Sequence, residues 1–252
     1  MIFQIHSKTR YNRISQQGFT LVEIMLAITL SMILIAGVVQ VYLSSKTSFQ
    51  VQNQLARLQE NQRISIDFLQ RDIRQAGFNI SLGDAPITVT EGVGNGSDSI
   101  VVRYSSATDC LGADTPEDNI AVNRYFIQSD AQGDRLMCLG NGSAIPQPIA
   151  DGVSNMQILF GEKTIDNETS YARQTPSANR YVKVGSVANL NRVVSIRIAL
   201  LVESEQPIRT QNLVQSFTVL DAIVAFDDIA APADRIKRQV ITTTIPLRNN
   251  SI

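Results

Sequence analysis

The chain of 252 residues is 44% hydrophobic and 18% charged, a composition that excludes an intrinsically disordered protein and a protein with many membrane spans. Its formal net charge of −1 argues against electrostatic binding of nucleic acid, so we expect no nucleic-acid partner. The only histidine, His6, lies near the N-terminus, so later segments lack the imidazole of Ser-His-Asp or Cys-His nucleophiles and of histidine-ligated metals. We therefore expect no catalytic residue, no metal and no cofactor.

Residues 1–17 form a basic segment before the first predicted element. They contain Lys8, Arg10 and Arg13 and no acidic residue. Because basic residues that flank an apolar segment stay on the cytoplasmic side, we predict a cytoplasmic N-terminus and export of everything after the apolar segment. Residues 1–17 are therefore interpreted as a cytoplasmic or processed leader rather than as folded structure.

The first predicted element is an apolar helix from Phe19 to Leu43. Its 25 residues include one charged residue, Glu23, and no proline. At about 1.5 Å per residue this helix is about 37 Å long, enough to cross a hydrocarbon layer of about 30 Å. A cleaved secretory signal is the alternative, but the nearest small residues, Ala36 and Gly37, lie deep inside the segment. We therefore predict a membrane anchor, in which the early acidic residue requires an explanation.

The helical pattern continues beyond Leu43 up to Ala76, without proline or glycine after residue 43. Apolar residues recur at steps of three and four and form one stripe, interrupted by Gln62, that consists of Val51, Leu55, Leu58, Ile66, Leu69, Ile73 and Ala76. Gly77 then provides a helix stop signal. We expect the stripe to pack on the chain's own head domain. A coiled coil with a partner is disfavoured, because the stripe covers fewer than about four heptads and has a polar break.

After Gly77 the pattern changes to short β-type segments separated by turn signals, which predicts an antiparallel sheet and an α+β class. The predicted strands are 87–90, 99–104, 120–128, 135–139, 156–160, 192–202 and 239–247. The Asp130–Asp134 segment is interpreted as a hairpin turn rather than a calcium loop, because it lacks alternating ligands and a distal glutamate. Pro146–Pro148 is interpreted as a loop, and residues 203–234 give no firm assignment.

Cys110 and Cys138 are the only two cysteines and lie on either side of the predicted strand 120–128. Because this part of the chain is predicted to reach an oxidising compartment, we predict a disulfide between them. Closing a loop of about 28 residues stabilises the folded state by about 3 kcal/mol in the chain-entropy model. Two buried free thiols are the alternative, and one cysteine pair without histidine is a poor metal site.

The start of the apolar helix reads GFTLVE at residues 18–23. Together with the basic leader and the uninterrupted apolar segment, it resembles the class III signal of type IV pilins and pseudopilins. The resemblance implies that a prepilin peptidase cleaves between Gly18 and Phe19 and methylates the new Phe19 amine. It also implies assembly of the helices into a filament core. The alternative is that Thr20 and Glu23 only form an S/T-x-x-E capping pattern.

The position of Glu23 supports the assembly role that the resemblance implies. A carboxylate inside an apolar layer is costly unless it is paired. Cleavage after Gly18 would create a cation at Phe19, one helical turn away. In a staggered stack of such helices, Glu23 of one subunit would meet the Phe19 amine of its neighbour, which is the assembly contact proposed for the family.

The resemblance narrows to PilW-type minor pilins. It rests on the stem SSKTSFQVQNQLARLQENQRISIDFLQRDIRQAGF, the segment DGVSNMQILFG, the ending RQVITTTIPLRN and the cysteine pair. It implies a type IV pilin-like fold with a cleaved leader at 1–18, a long helix at 19–77 (transmembrane at 19–43, an amphipathic stem at 44–77) and a β-rich periplasmic head at 78–252. Implied partners are other minor pilins, the major pilin, the prepilin peptidase, the inner-membrane assembly platform and a tip adhesin.

Many major pilins carry a proline within the membrane helix, and its absence between Ile24 and Ala76 favours a minor subunit that primes assembly or sits at the tip. We therefore predict a non-enzymatic minor pilin that takes part in initiating pilus assembly. A single span would hold it in the inner membrane before it enters a filament at the cell surface. The first alternative is a J-type pseudopilin of a type II secretion system. The alternative from another class is a membrane-anchored periplasmic enzyme or ligand-binding protein, which the missing histidine disfavours.

Overall fold

The computed structural model describes residues 18–81, 83–94, 96–116, 118–163, 178–187, 192–209, 211, 214–226 and 234–249. The predicted leader, residues 1–17, lies outside the described residues, as does part of the unassigned segment 203–234. The chain divides into two compact units after Phe49.

The described part of the first unit consists of residues 18–20 and the beginning of helix α1 (Leu21–Gln75). Thr20 caps this helix, because its Oγ1 accepts a hydrogen bond from the Glu23 amide at 3.3 Å. All residues from 18 to Phe49 are exposed. By length and composition the helix is able to cross a membrane, with a mean hydropathy of 2.4 over an 18-residue window.

In the second unit, the remainder of α1 packs one face against β-sheets of the same chain. The buried residues of the helix are Leu58, Gln62, Ser65, Ile66, Leu69, Asp72 and Ile73. The predicted packing of the stripe on the chain's own head is therefore confirmed. Burying a leucine or isoleucine side chain stabilises the fold by about 1.5–3 kcal/mol, so this face docks the helix. Three polar side chains, Gln62, Ser65 and Asp72, share the buried face.

A five-stranded sheet follows the helix. Its strands are paired in chain order, and every pair is antiparallel. The strands are β1 (Ile87–Thr90), β2 (Ser99–Ser105), β3 (Ile120–Asp130), β4 (Gly133–Leu139) and β5 (Gln147–Asp151). The β3–β4 connection is the expected hairpin turn, with Asp130 directly opposite Gly133. Gly133 has φ of 106°, a left-handed conformation that glycine adopts without steric cost.

A four-stranded antiparallel sheet and a hairpin complete the head. The sheet has the order β11-β8-β6-β7, formed by β6 (Val153–Glu162), β7 (Arg180–Val182), β8 (Val193–Glu203) and β11 (Arg238–Pro246), and the hairpin consists of β9 (Gln215–Val219) and β10 (Ala222–Phe226). Strand β8 is buried on both faces. Its residues Ile196, Ile198 and Leu200 belong to the main core, whereas Ala199 and Leu201 pack with the β9–β10 hairpin. The α+β class predicted from the sequence is confirmed.

The expectation of a loop at Pro146–Pro148 was wrong, because Gln147 and Pro148 belong to β5. Strand β5 lies at the edge of the five-stranded sheet, and its pairing with β4 shifts register beside Met137, which pairs with Pro148. An edge strand has one unpaired side, where the missing N–H of proline costs no ladder hydrogen bond. Proline is therefore compatible with a strand at this position.

Candidate functional site: an exposed apolar helix with one carboxylate

The backbone around Gly18 and Phe19 lies before the first turn of α1 and is open to solvent. A Cβ placed on Gly18 would have no neighbour within 4 Å. The Phe19 side chain is 78% exposed. Within the part of the chain that the structure describes, these two residues are therefore open to contact with another molecule.

Glu23 occupies the first turn of α1, the position at which the helix dipole stabilises a negative charge. Between Glu23 and Phe49 the only other charged residue is Lys46. Within the described residues, the Glu23 carboxylate has no hydrogen bond or ion pair, while its backbone amide donates to Thr20 Oγ1. The first turn thus presents one unpaired carboxylate at the beginning of an apolar surface.

The helix face that contains Glu23 continues through small and apolar residues at helical spacing, namely Ala27, Ile28, Ser31, Met32 and Ile35. Small residues such as Ala27 and Ser31 allow a neighbouring helix backbone to approach closely. The Ser31 hydroxyl donates to the Ala27 carbonyl at 2.7 Å, so its polar group is satisfied inside the helix. This face is chemically suited to contact with lipid or with another apolar helix.

A buried polar network in the second unit joins α1 to the five-stranded sheet. The Tyr125 hydroxyl donates to Asp72 Oδ2 at 2.5 Å, and Asn123 Nδ2 donates to the same oxygen at 2.7 Å. Asn123 Nδ2 also donates to the Tyr104 hydroxyl oxygen at 3.1 Å. The Asp72 side chain is 1% exposed, and a carboxylate at that depth requires such donors.

Burial raises the pKa of Tyr125 and of Tyr104 well above the usual range, and the neighbouring Asp72 carboxylate adds to this effect. Both hydroxyls therefore keep their protons over the physiological pH range. The Tyr125 hydroxyl remains a hydrogen-bond donor to the carboxylate under these conditions.

The structure joins Cys110 and Cys138 in a disulfide, with their Cα atoms 6.7 Å apart. Cys110 lies in the loop between β2 and β3, and Cys138 lies in β4 directly opposite Tyr125 of β3. The Cys110 amide donates to Asn123 Oδ1 at 2.9 Å. The backbone of the two linked cysteines is therefore next to the same two β3 residues that bind Asp72.

Asp109 holds the loop that carries Cys110. Its Oδ1 accepts hydrogen bonds from the amides of Leu111 and Ala113, and its Oδ2 accepts one from Gly142 at 2.9 Å. A Cβ on Gly140 would collide with this carboxylate. The Gly140–Gly142 turn is thus packed against the disulfide loop.

A polar cleft of about 560 Å³ lies in the second unit, between the stem, the β3–β4 turn and the end of β8. Two of its carboxylates are paired with arginines, Glu205 with Arg57 at 3.1 Å and Glu203 with Arg238 at 2.9 Å. Burial raises the pKa of Glu203, and Arg238 opposes that shift. Among the described residues, no group of three histidine, cysteine or acidic side chains could hold a metal ion. We assign no chemistry to this cleft.

The sequence-predicted site residues fall in two places. Gly18, Phe19 and Glu23 lie together at the start of α1, whereas Cys110 and Cys138 lie in the head. The buried network around Asp72 was missed. Its signal was the helical spacing, since a residue three positions after Leu69 and next to Ile73 falls on the buried stripe.

Comparisons with known proteins give matches to the N-terminal segment and to the head. The family model described as Type IV Pilus-assembly protein W matches residues 124–249, and the model of the prokaryotic N-terminal methylation motif matches residues 13–39. Among solved structures, the chain is similar to a type IV-like pilin from Thermus thermophilus, with 13% sequence identity and a TM-score of 0.48. That similarity covers 78% of this chain and 98% of the other. The comparison with curated protein sequences gives no match.

Proposed function

We propose that this chain, which belongs to the type IV pilus-assembly protein W family, is a minor pilin that initiates filament assembly and occupies a position near the filament tip. As a member of a pilin family it is a structural pilus protein and not an enzyme. The observation that carries the proposal is the exposed helix that is predominantly apolar up to Leu43 and has one carboxylate, Glu23, in its first turn. An apolar surface of this extent requires lipid or other helices around it.

Maturation would begin with cleavage between Gly18 and Phe19 by a prepilin peptidase, followed by methylation of the Phe19 amine. The match to the N-terminal methylation motif over residues 13–39 supports this step. So does the open backbone at Gly18, which leaves room for a peptidase.

Before assembly, the apolar part of α1 would hold the subunit in the inner membrane, with the N-terminus in the cytoplasm and the head in the periplasm. The hydropathy of the helix and the basic residues before it support this orientation. The same surface would then be covered by neighbouring helices in the filament, where packing of side chains replaces lipid.

In the filament, the Glu23 carboxylate would pair with the Phe19 amine of an adjacent subunit. Glu23 has no partner among the described residues and sits in an apolar surface, where an unpaired charge is disfavoured. Pairing with a cation of a neighbour removes that cost only when the two helices are staggered correctly. The contact would therefore select the register of assembly.

The partners we propose are the other minor pilins, the major pilin, the prepilin peptidase, the inner-membrane assembly platform and a tip adhesin. The absence of proline from α1 after Glu23 keeps the helix regular, and this supports a minor subunit over an abundant one. Immunogold labelling of intact pili tests the location. Labelling at filament ends is expected, and labelling along the whole filament would contradict a tip position.

The experiment that tests the proposal most directly is mass spectrometry of the N-terminal peptide of protein from membranes and from sheared pili. We expect a single N-terminus at methylated Phe19 in both fractions. An intact Met1, or an N-terminus near residue 38, would contradict a pilin. Recovery in a secretion complex instead of pili would favour the pseudopilin alternative.

The role of Glu23 is tested by Glu23→Ala, with Glu60→Ala as a matched control that removes an exposed carboxylate from the stem. The Glu23 variant should be cleaved and inserted normally. Its amount in sheared pili should fall at least about tenfold, the factor that corresponds to about 1.4 kcal/mol of lost contact energy. The control should be incorporated like the unmodified protein, and equal incorporation of both variants would disprove the pairing.

A further inference from the structure

We propose that the Cys110–Cys138 disulfide controls how firmly the end of the stem, defined here as Ile66–Ala76, is docked on the head. Asn123 and Asp72 form the connection between them. This coupling is a property of the folded second unit and does not depend on the proposed role in a pilus.

The first step of the connection runs from the disulfide to β3. The Cys110 amide donates to Asn123 Oδ1 at 2.9 Å, and Cys138 lies opposite Tyr125. Asn123 and Tyr125 are two positions apart in the strand, so their side chains leave the same face of the sheet. Both are fully buried. The disulfide therefore links the loop next to Asn123 to the strand next to Tyr125.

The second step runs from β3 to the helix. Asn123 Nδ2 and the Tyr125 hydroxyl both donate to Asp72 Oδ2, at 2.7 and 2.5 Å. The other carboxylate oxygen, Asp72 Oδ1, has no hydrogen-bond partner among the described residues, and Arg71 Nε lies 3.7 Å from it. The buried carboxylate thus depends on two donors from one strand. Loss of either donor leaves a buried charge undersolvated, which disfavours the docked position of the helix.

Asn123 transmits the state of the disulfide because its two amide atoms have different partners. Its oxygen accepts from the Cys110 loop, while its nitrogen donates to Asp72. When the covalent link is absent, the loop that carries Cys110 is held by hydrogen bonds alone, which include those of Asp109 and the Thr108–Asp114 bridge. Movement of that loop removes the contact on the acceptor side of the amide. Asn123 is then oriented only by the bonds of its nitrogen to Asp72 and Tyr104, and it holds the carboxylate less firmly.

The redox step is thiol–disulfide exchange. Oxidation of the two protein thiols by a small disulfide, such as oxidised glutathione, yields the protein disulfide and two molecules of reduced glutathione. Two electrons and two protons pass from the cysteines to the small disulfide. Cys138 is fully buried and Cys110 nearly so. The bond is therefore expected to form as the loop closes over the core, at the stage when the stem docks.

Amide hydrogen exchange of the full-length chain in detergent micelles, read by mass spectrometry, tests this coupling. Oxidised protein is compared with protein reduced by tris(2-carboxyethyl)phosphine and with protein reoxidised by oxidised glutathione. After reduction, exchange in Ile66–Ala76 should accelerate at least about tenfold more than exchange in β8, whose amides report the general loss of stability that removal of the disulfide causes. Reoxidation should restore the protection. The Cys110→Ser/Cys138→Ser double variant should behave like the reduced protein.

Equal acceleration in β8 and in the stem end would reduce the disulfide to a general stabiliser and overturn the proposal, as would unchanged exchange in the stem end. The Asp72→Leu variant tests the route, because its stem end should no longer respond to reduction. If that variant does not fold, Asn123→Ala serves instead, since it leaves the bond from Tyr125 to Asp72. Gln70→Leu is the matched control: it removes a helix-to-sheet hydrogen bond to Thr243 outside the network. This control should keep the full response, and a lost response would contradict the route.

Discussion

The two parts of helix α1 have the same backbone conformation and opposite burial. Up to Phe49 every described side chain is exposed, whereas from Leu58 to Ile73 residues at helical spacing are buried against the head. As far as Leu43 the first part is predominantly apolar on all sides, and the second part has one largely apolar stripe with most of its charges on the other faces. The comparison shows that a single helix can be stabilised by its own chain at one end and require other molecules at the other.

Because of this difference in burial, substitutions in the two parts of the helix should affect different properties of the protein. Substitutions in the stem should act on the stability of the isolated subunit, because the partners of those side chains belong to the same chain. Substitutions in the apolar part should leave that stability unchanged and act on insertion or assembly. Matched substitutions in the two parts therefore test the comparison directly.

The largest difference is expected between Leu69→Ala and Leu30→Ala. Leu69 is fully buried, whereas Leu30 is exposed. Truncating a buried leucine costs about 2–5 kcal/mol, since it removes apolar contacts and leaves a cavity. The Leu30 substitution should change the free energy of unfolding of the head by less than about 0.5 kcal/mol. Urea denaturation in micelles, followed by circular dichroism of the β-sheet signal, measures both, and equal effects would show that the two parts do not differ as described.

Removal of the disulfide is the next largest expected effect. The Cys110→Ser/Cys138→Ser variant opens a loop whose ends are 28 residues apart, which should lower the free energy of unfolding by about 3 kcal/mol. The same denaturation experiment measures this loss. Insertion of the apolar part into membranes should remain unchanged in a carbonate-extraction assay. A variant as stable as the unmodified protein would contradict a stabilising disulfide.

Elements with a local sequence pattern could be predicted from the sequence. Contacts between residues that are far apart in the chain could not. The stripe of α1 and most strands follow from spacing within a few residues, and they appear within two or three residues of the predicted bounds. Helical spacing places Asp72 on the buried stripe, but its hydrogen-bond partners, Asn123 and Tyr125, are 51 and 53 residues away. No local pattern reports that contact.

The strands missed in the sequence have equally physical causes. Strand β5 contains Pro148, a turn-forming residue, and is recognisable only from its place at the edge of the sheet. The β9–β10 hairpin turns through Leu220, a residue with φ of 54° that gives no glycine or asparagine signal. Its apolar side chains find their partners in Ala199 and Leu201 of β8, so its packing becomes evident only in three dimensions.

A smaller effect is expected when one glycine in each unit, Gly77 in the second and Gly37 in the first, is replaced by alanine. Gly77 has φ of 81° at the end of the stem, and a Cβ there would collide with the backbone oxygen of Asn249. Gly77→Ala should therefore lower the free energy of unfolding by about 1–3 kcal/mol. A Cβ on Gly37 would have no neighbour within 4 Å, and Gly37→Ala should leave the stability of the head unchanged. Destabilisation by both substitutions would indicate that the apolar part is also packed on its own chain.

The smallest effect is expected from Arg63→Ala on the exposed side of the stem. Arg63 pairs with Glu60 at 2.6 Å and with Asp67 at 3.4 Å, and all three side chains are more than half exposed. Water and salt screen such pairs, so we expect the melting temperature to fall by less than about 2 °C at physiological ionic strength. The fall should disappear in about 1 M salt, where the Debye length is about 3 Å. A larger fall that persists at high salt would mean that the charged face of the stem also contributes to docking. The stem would then not consist of one buried, stabilising stripe and one solvated face.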